Sequence, residues 1–470
     1  MSENREWESI FDAASVAIAG VSPGNTGQFF LDVLLQYGFS GIVYPLNPKG
    51  GEISGLRVYA NIKDVPAPVD YVISCIPARF TAQLIKDCAA KGAKVVCVYT
   101  AGFSEGGSDE GRALEAEILR LARAGGLRII GPNCIGVYCP KSGLAFAHDL
   151  PKKSGPVALV CQSGGNAAYL VRSAAQRGVH FSKAISYGNG CDINESELLQ
   201  YLRRDDETRI VAIYVEGVRD GPRFRSALEE LAATKPVVVL KGGCTQAGAG
   251  VALSHTGALA GSDIVWNRLL LQSGAIPVNT LEELVDMLVT LLYMPCPKGR
   301  RIAIWGSGGG ASVLATDVCV TAGFTLPPLP EEIKKEFRIL VGGGAGTILS
   351  NPIDLPPVSA EISCSILRRL GQYEGIDLVI AQIPLHSIGY ALPVSYAAFR
   401  GEVEAITGVH NEMNQPIAVV IHYLTTGESW QMGSDYQQKC SETGLPVYYS
   451  IANAVKAADR LLRFHEGRLG

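Results

Sequence analysis

The chain has 470 residues, of which 47% are hydrophobic and 18% are charged, so it is long enough for about three domains with full apolar cores. This composition excludes global disorder. The 41 basic residues stand against 45 acidic residues, and the resulting formal net charge of -4 provides no overall basic field for nucleic acid or anionic lipid.

The 12 cysteines are scattered along the chain and form neither a C-x-x-C metal clamp nor a small disulfide framework. We therefore expect a reduced, cytoplasmic protein without a metal site. The segment 2–8 is charged where a signal peptide needs an apolar core, and the uncharged stretches are interrupted by polar residues. The sequence therefore predicts no membrane span.

Short apolar, β-branched runs alternate with helix-sized segments in the first part of the chain, a pattern typical of a parallel sheet covered by helices on both faces. The predicted strands are 16–19, 42–44, 71–76, 94–99 and 128–130, and the predicted helices are approximately 26–37, 79–90 and 109–124. Gly92 is expected to end the second helix.

Two further series of strands follow, each after a polar or proline-rich segment, at 151–156 and 295–299. The second series is expected at 157–161, 183–187, 210–215 and 237–240, and the third at 302–305, 378–383, 417–421 and 447–449. We therefore predict an α/β fold of three consecutive parallel-sheet domains, spanning residues 1–150, 151–297 and 298–470.

A glycine-containing turn, 20–27, follows the first strand and leads into a helix. Glycine lets the backbone approach a ligand, and the helix offers free N–H groups to a phosphate. The spacing is G-x-x-x-G-x-x-G, and the second strand ends in Asn47-Pro48-Lys49 where a dinucleotide site has an acid for the ribose, which argues against NAD. Lys49 suits a ligand with an extra phosphate on its ribose, such as coenzyme A or NADP; a solvent-exposed loop lysine is the alternative.

Three more strand ends are expected at the same carboxyl edge of the first sheet, where ligands of open α/β sheets bind. They are Ser74-Cys75-Ile76-Pro77, Tyr99-Thr100-Ala101-Gly102 and Gly131-Pro132-Asn133-Cys134. Together with the first turn they fit one extended ligand lying across the edge, and ordinary turn chemistry is the alternative.

The turn Gln162-Ser163-Gly164-Gly165 follows the first strand of the second series and precedes a helix of small and apolar residues. A serine hydroxyl and backbone N–H groups at a helix N-terminus suit a phosphoryl group. A simple capped turn is the alternative.

The segment 242–263 contains six glycines, no charged residue before Asp263, and His255. Neutral imidazole can attack phosphorus and carry the phosphoryl group covalently if a partner stabilises the charge that develops. Glu216, at the end of the strand 210–215, is the candidate partner. A structural histidine and a solvated strand-end acid are the alternatives, and the other six histidines have no comparable setting.

Together these motifs resemble the α subunit of the NDP-forming acyl-CoA synthetases, especially the ADP-forming acetyl-CoA synthetases, relatives of succinyl-CoA synthetase. The most specific match is Ser254-His255-Thr256-Gly257-Ala258-Leu259-Ala260-Gly261-Ser262, supported by 214–217, 162–165, 47–49 and 131–133 and, in the third part, by 307–310, 314–317 and 351–354. The resemblance covers nearly the whole chain. It implies a CoA-binding Rossmann-like domain followed by two flavodoxin-like domains.

The resemblance also implies a reaction, in which acyl-CoA, ADP and phosphate give the free acid, CoA and ATP reversibly with Mg²⁺. It implies that phosphate displaces CoA to form an acyl phosphate, that His255 takes the phosphoryl group, and that a swinging loop delivers it to ADP. Glu216 would stabilise the phosphohistidine, and Ser163, Gly164 and Gly165 would bind phosphate. The residues that it assigns to CoA are Gly20, Val21, Ser22, Asn47, Pro48, Lys49, Ile76, Pro77, Thr100, Ala101, Gly102, Asn133 and Cys134.

In this family an ATP-grasp domain holds ADP, and nothing in the 470 residues resembles one. The resemblance therefore implies an ATP-grasp β subunit as partner, an α2β2 assembly, and ADP/ATP with Mg²⁺ at the partner's site. The small-molecule ligands would be a carboxylic acid and its CoA thioester. An NADP-dependent oxidoreductase and a non-catalytic CoA-binding regulatory protein are the alternative functions.

Overall fold

The computed structural model describes residues 7, 10–245, 247–248, 250, 263–306, 309–342, 347–355, 358–384, 394–422 and 427–469. The chain divides into two compact units. The first consists of residues 1–175 and 180–284, and the second of residues 176–179 and 285–470.

The first sheet of unit 1 is parallel, with its strands buried among apolar side chains from the helices on its faces. The first seven strands of the chain are β1 (Ser15–Ala19), β2 (Ile42–Leu46), β3 (Gly51–Ile53), β4 (Leu56–Val58), β5 (Tyr71–Ser74), β6 (Val95–Val98) and β7 (Arg128–Ile130). The sheet has the order β2-β1-β5-β6-β7, while β3 and β4 form a separate hairpin. The helices are α1 (Thr26–Tyr37), α2 (Thr81–Lys91) and α3 (Asp109–Ala124).

This strand order places a topological switch between β1 and β5. The chain leaves β1 toward β2 on one side, and the next strand of the sheet lies on the other side, so the turns after β1 and β5 diverge and leave a crevice. Gly92 ends α2 with a φ of 80°, as predicted. Strands β5 and β6 are shorter than predicted because Cys75, Ile76 and Tyr99 already belong to the turns at the carboxyl edge.

The second sheet of unit 1 has six strands in the order β13-β12-β11-β9-β10-β8. They are β8 (Gly136–Tyr138), β9 (Val157–Cys161), β10 (Phe181–Ser186), β11 (Ile210–Val215), β12 (Val237–Lys241) and β13 (Ile276–Val278). The helices are α4 (Gly164–Gln176), α5 (Glu195–Arg204), α6 (Gly221–Ala232) and α7 (Asp263–Gln272), and α8 (Leu281–Tyr293) begins in unit 1 and belongs mostly to unit 2. The pairs are parallel except β8–β10, and neither β8 nor β13 was predicted from the sequence.

The two sheets of unit 1 are joined by backbone pairing. Residues 189–193, which follow β10, run beside residues 129–132 at the end of β7, and Ile130 and Ile193 form a parallel bridge. The backbone nitrogens of Asn189, Cys191 and Ile193 donate to the first-sheet segment over 3.0–3.1 Å. The turns at the carboxyl ends of β7 and β10 therefore lie side by side.

Unit 2 contains a third sheet, parallel throughout, in the order β15-β14-β16-β17-β18. Its strands are β14 (Ile302–Gly306), β15 (Ile353–Asp354), β16 (Leu378–Pro384), β17 (Ile417–His422) and β18 (Val447–Tyr448). The helices are α9 (Gly309–Thr321), α10 (Glu331–Val341), α11 (Ala360–Gly371), α12 (Val394–Val409), α13 (Gly427–Glu442) and α14 (Ile451–Leu469). Trp305, Phe337 and Ile366 lie in its apolar core.

All three sheets share one order: counted along the chain and without the hairpin and β8, each reads second, first, third, fourth, fifth. This is the flavodoxin-like doubly wound order. The predicted α/β fold is therefore confirmed, whereas the domain limits of 1–150, 151–297 and 298–470 stay a prediction. Within the described ranges, no helix combines the length and apolar character needed to cross a membrane.

Candidate functional site

The turn after β1 is shaped for a close backbone approach. Gly20 has a φ of 91°, a conformation that favours glycine, and a Cβ there would lie 2.9 Å from Ile76 Cγ2. Asn25 caps α1 by accepting from the Gln28 nitrogen over 3.0 Å and donates to the Gly20 carbonyl over 2.7 Å. The helix N-terminus is thus fixed beside the predicted CoA turn.

The turn after β2 is tied to the first turn by one side chain. Asn47 Nδ2 donates to the Val21 carbonyl over 2.9 Å and to Ser22 Oγ over 2.8 Å. Its Oδ1 accepts from the backbone nitrogen of Lys49 over 2.9 Å. Pro48 and Lys49 are exposed, so the Lys49 ammonium group is accessible to a ligand at this end of the edge.

The turns after β5 and β6 lie next along the carboxyl edge of the first sheet, between the turns already described and β7. Thr100 Oγ1 donates to the Ile76 carbonyl over 2.7 Å, and the Asn133 nitrogen donates to the Thr100 carbonyl over 3.2 Å. Gly102 has a φ of 107°, and the neighbouring Pro77 is exposed. The predicted CoA residues therefore form one connected row across β2, β1, β5, β6 and β7, four inter-strand steps of about 4.8 Å, or about 19 Å in all.

A cavity of about 330 Å³ lies at the end of this row. It is lined from the first sheet by Tyr99, Ala101, Asn133, Cys134 and Ile135, and from the second sheet by Gln162, Ser163, Gly164, Gly165, Gly188 and Asn189. Three predicted CoA residues and all three predicted phosphate residues thus share one cavity.

The phosphate turn lies at the N-terminus of α4. Ser163 Oγ accepts weakly from the Asn166 nitrogen over 3.4 Å, and the first N–H groups of a helix have no partner within the helix. A Cβ on Gly164 would lie 2.8 Å from Ile135, whereas nothing lies within 4 Å of one on Gly165. Gly164 therefore permits the close approach of the two sheets, and Gly165 opens to the cavity.

Glu216 is only 9% exposed and is held by its neighbours. Gln162 Oε1 accepts from the backbone nitrogens of Glu216 and Gly217 over 2.6 and 3.1 Å. Tyr214 donates its hydroxyl to Glu216 Oε1 over 3.1 Å, and Lys241 Nζ donates to the Glu216 carbonyl over 2.8 Å. Burial, followed by the Glu216 carboxylate, raises the pKa of Tyr214, which therefore remains a donor.

A second cavity, of about 480 Å³, lies at the ends of β12 and β13. Asn166, Tyr214 and the segment 241–245 contribute to its lining, so Glu216 contacts residues of both cavities through Gln162 and Tyr214. The glycine-rich segment that carries the predicted nucleophile begins here. His255 itself lies outside the described residues.

A buried polar network holds the CoA turn after β6. Glu105 Oε1 accepts from the nitrogens of Gly102 and Phe103, and Asn189 Nδ2 donates to Glu105 Oε2 over 2.6 Å and to Glu115 Oε2 over 2.9 Å. Although burial alone would raise it, the hydrogen bonds from Asn189 and the backbone lower the pKa of Glu105. Glu105 is therefore held as a carboxylate.

The same network reaches the turn that carries Glu216. Glu115 Oε1 accepts from Arg219 Nη2 over 2.7 Å, three residues beyond Glu216. Asn189, which is 5% exposed, thus lies between the CoA turn and the Glu216 turn.

The thiol of Cys134, which lines the 330 Å³ cavity, is uncharged. Burial, followed by contact with the Cys97 sulfur 3.6 Å away, raises the pKa of Cys134, so the side chain stays protonated. The twelve cysteines, all within the described ranges, form no disulfide. Across those ranges no cluster of three or more metal-binding side chains is found.

Sequence reasoning did not assign roles to three of the residues that build this site: Gln162, Asn189 and Tyr99. Gln162 stood inside a recognised motif, and Tyr99 ended a predicted strand. Asn189 lies in a Gly-Asn-Gly turn directly after a predicted strand, the same signal that located the CoA turns.

Two family models match the first two sheets. A model described as a CoA binding domain matches residues 14–140, and one described as a succinyl-CoA ligase like flavodoxin domain matches residues 154–291.

Similarity to known proteins extends over nearly the whole chain. The chain is 33% identical over 466 residues to the alpha subunit of acetate--CoA ligase [ADP-forming] I from Pyrococcus furiosus and 32% identical over 457 residues to that of ligase II, covering 97% of both chains in each case. Its structure is similar to that of dinucleotide forming acetyl-coenzyme A synthetase 1 from Candidatus Korarchaeum cryptofilum in complex with phosphate and ADP. The TM-score is 0.82 at 29% identity, over 98% of this chain and 97% of the other.

Proposed function

This chain belongs to the family of ADP-forming acetate–CoA ligase alpha subunits, and we propose that it converts acyl-CoA, ADP and phosphate reversibly to the free acid, CoA and ATP. The Pyrococcus relatives that it matches end to end are named as alpha subunits of such ligases. We propose that an acyl phosphate and a phosphorylated His255 are the intermediates.

One observation carries this proposal: the carboxyl edges of the first two sheets open into one cavity. The first sheet contributes the end of the row of predicted CoA residues, and the second contributes Ser163, Gly164 and Gly165. A thioester and a phosphate can therefore meet in the same cavity. Proximity of this kind converts a bimolecular encounter into an effectively unimolecular step.

The first step that we propose is attack by a phosphate oxygen on the thioester carbonyl carbon. The new C–O bond replaces the C–S bond, and the thiolate leaves as CoA. The N-terminus of α4 would bind the phosphate through its unpaired N–H groups, and its dipole would favour the negative charge. The protonated thiol of Cys134 adds no repulsion to this wall of the cavity.

In the second step an imidazole nitrogen of His255 attacks the phosphorus of the acyl phosphate, and the carboxylate leaves with the bridging oxygen. Glu216 would stabilise the phosphorylated ring, since a carboxylate on the second nitrogen fixes the tautomer and balances the charge. An oxygen of the ADP β-phosphate then takes the phosphoryl group to form ATP and restores free imidazole.

We place ADP and Mg²⁺ on an ATP-grasp β subunit, in an α2β2 assembly. The name "subunit alpha" of the Pyrococcus relatives supports a partner chain. The scattered cysteines, none of which is in a disulfide, support a cytoplasmic location.

The test is covalent labelling of the full chain with acetyl-CoA and radiolabelled phosphate. We expect acid-labile label on the wild type and on His465→Ala, a control histidine in the exposed end of α14, and none on His255→Ala. Label that survives in His255→Ala removes the proposed nucleophile. Absence of label from the wild type with acetyl-CoA and with larger acyl-CoA thioesters contradicts the proposed function.

A further inference from the structure

The hydrogen bonds of Gln162 fix the direction in which its side-chain amide points. The side chain is 7% exposed, and one of its atoms accepts from two backbone N–H groups, those of Glu216 and Gly217. Only the amide oxygen can accept from both donors. The oxygen of Gln162 is therefore committed to the turn that carries Glu216.

The amide nitrogen must then point away from that turn. Gln162 lines the 330 Å³ cavity, and within the described ranges its Nε2 has no hydrogen-bond partner. Nε2 is not among the described side-chain atoms that are both buried and without a partner, so it is open to the cavity. The cavity therefore presents a polar donor that an acceptor on a ligand can engage.

Two neighbouring features point to an anion as that acceptor. The helix α4 has 13 residues and begins at Gly164, so its first residues, Gly164 and Gly165, lie next to Gln162 in sequence and line the same cavity. No Asp or Glu is found among the described residues that line it. Helix N–H groups and a buried amide donor, without an opposing carboxylate, favour a small oxyanion.

We propose that Gln162 Nε2 binds an oxygen of phosphate and of the acyl phosphate, and that the same amide couples occupancy of this anion site to the position of Glu216. Donation through Nε2 polarises the amide and strengthens its acceptance at Oε1. A bound phosphoryl group would thus strengthen the hydrogen bonds that hold the Glu216 turn, at the stage when His255 needs the Glu216 carboxylate. This inference rests on the proposed function.

The test is the variant Gln162→Glu, which has the same shape. A carboxylate oxygen can still accept from Glu216 and Gly217, but the donor is lost and a negative charge faces the cavity. We expect the affinity for inorganic phosphate, measured by titration calorimetry on the full chain, to fall about tenfold or more. CoA affinity should stay close to that of the wild type.

The matched control is Gln36→Glu, the same substitution at an exposed position of α1, which should bind phosphate like the wild type. Gln162→Met adds no charge but removes the donor together with the acceptor for Glu216 and Gly217, and it should also lose phosphate affinity. If Gln162→Met binds phosphate like the wild type, the donor role is wrong, whatever Gln162→Glu does. It is equally wrong if Gln162→Glu keeps wild-type affinity.

These outcomes are distinct from a failure of the proposed function. A wild-type chain that forms acid-labile phosphohistidine while Gln162→Met keeps full phosphate affinity retains the function and loses only this inference. A wild-type chain that binds no inorganic phosphate contradicts both.

Discussion

The side-chain oxygen of Gln162 lies 2.6 Å from the backbone nitrogen of Glu216, across the switch between β9 and β11. The two residues are 54 positions apart in sequence, and each directly follows a central strand of the second sheet. The predicted phosphate turn and the predicted acid therefore belong to one hydrogen-bonded unit.

Glu216→Gln should remove the charge of this side chain and leave its position unchanged. The backbone bonds to Gln162 do not involve the carboxylate, so phosphate and CoA should still bind. Loss of the stabilising charge should reduce the steady-state amount of phosphohistidine about 10- to 100-fold, measured as acid-labile label. Tyr214→Phe keeps the charge and removes one hydrogen bond, and its loss should be only several-fold. Equal labelling of Glu216→Gln and wild type would remove the stabilising role.

Lys49→Ala should weaken CoA binding several-fold, because an exposed ion pair contributes on the order of 0.5–1 kcal/mol. The affinity for 3′-dephospho-CoA should not change, since that analogue lacks the ribose phosphate. Titration of both ligands checks this, with Lys86→Ala on the exposed face of α2 as the control. An equal loss for both analogues would refute the phosphate contact. Thermal protection of the wild type by NADPH but not by CoA would favour an oxidoreductase instead.

Asn189→Asp should loosen the CoA turn because it replaces a donor with a third carboxylate beside Glu105 and Glu115. Arg219 donates to Glu115 in this cluster. CoA affinity should fall at about pH 8 and partly recover near pH 5, where one carboxyl of the cluster takes up a proton and donates again.

The matched control is Asn194→Asp. That side chain caps α5 purely as an acceptor from the Glu197 nitrogen, a role that aspartate fills equally well. A pH-independent loss of CoA affinity in Asn189→Asp would indicate general destabilisation of the joint and not the positioning of the turn.

Glu195 should make the chain less stable as the pH rises. Burial raises the pKa of Glu195 to about 7, from an ordinary value of about 4.5, so the folded state holds its proton more tightly than the unfolded state. The stabilisation is complete below about pH 4.5 and is lost through about pH 7, at a cost on the order of 3 kcal/mol at most.

Urea unfolding at about pH 5 and about pH 8 measures this effect. Glu195→Gln should remove most of the difference between the two conditions, whereas Glu117→Gln, at an exposed position of α3, should leave it in place. Identical pH dependence in wild type and Glu195→Gln would exclude Glu195 as the source.

The central strands could be predicted because a strand buried on both faces gives an uninterrupted run of apolar residues, as in β9 and β12. Strands β8, β13 and β15 have two or three residues each and were not predicted, although the equally short β7 and β18 were. The antiparallel direction of β8 is set by its pairing with β10, which no local signal encodes.

Some residues of the candidate site could likewise be predicted from local sequence patterns, and others could not. Glycines and small polar residues at strand ends indicated the CoA and phosphate turns, because the carboxyl edge of a parallel sheet collects such turns. Gln162 and Asn189 act through partners 54 and 84 positions away in sequence, so their roles depend on how strands are ordered. His255 was assigned from its motif, and its assignment stays a prediction.

The pairing of β8 with the second sheet determines what proteolytic cleavage between the first two sheets would do. It follows the first sheet in sequence but pairs with β10 of the second, so a break between residues 138 and 157 would sever a segment from the sheet to which it is hydrogen-bonded. The N-terminal fragment would keep β8 as a ribbon without a neighbour, and the C-terminal fragment would expose the bare edge of β10. Unpaired strand edges such as those of β8 and β10 promote aggregation. Proteolysis at this link would therefore yield two aggregation-prone fragments and not two independently stable domains.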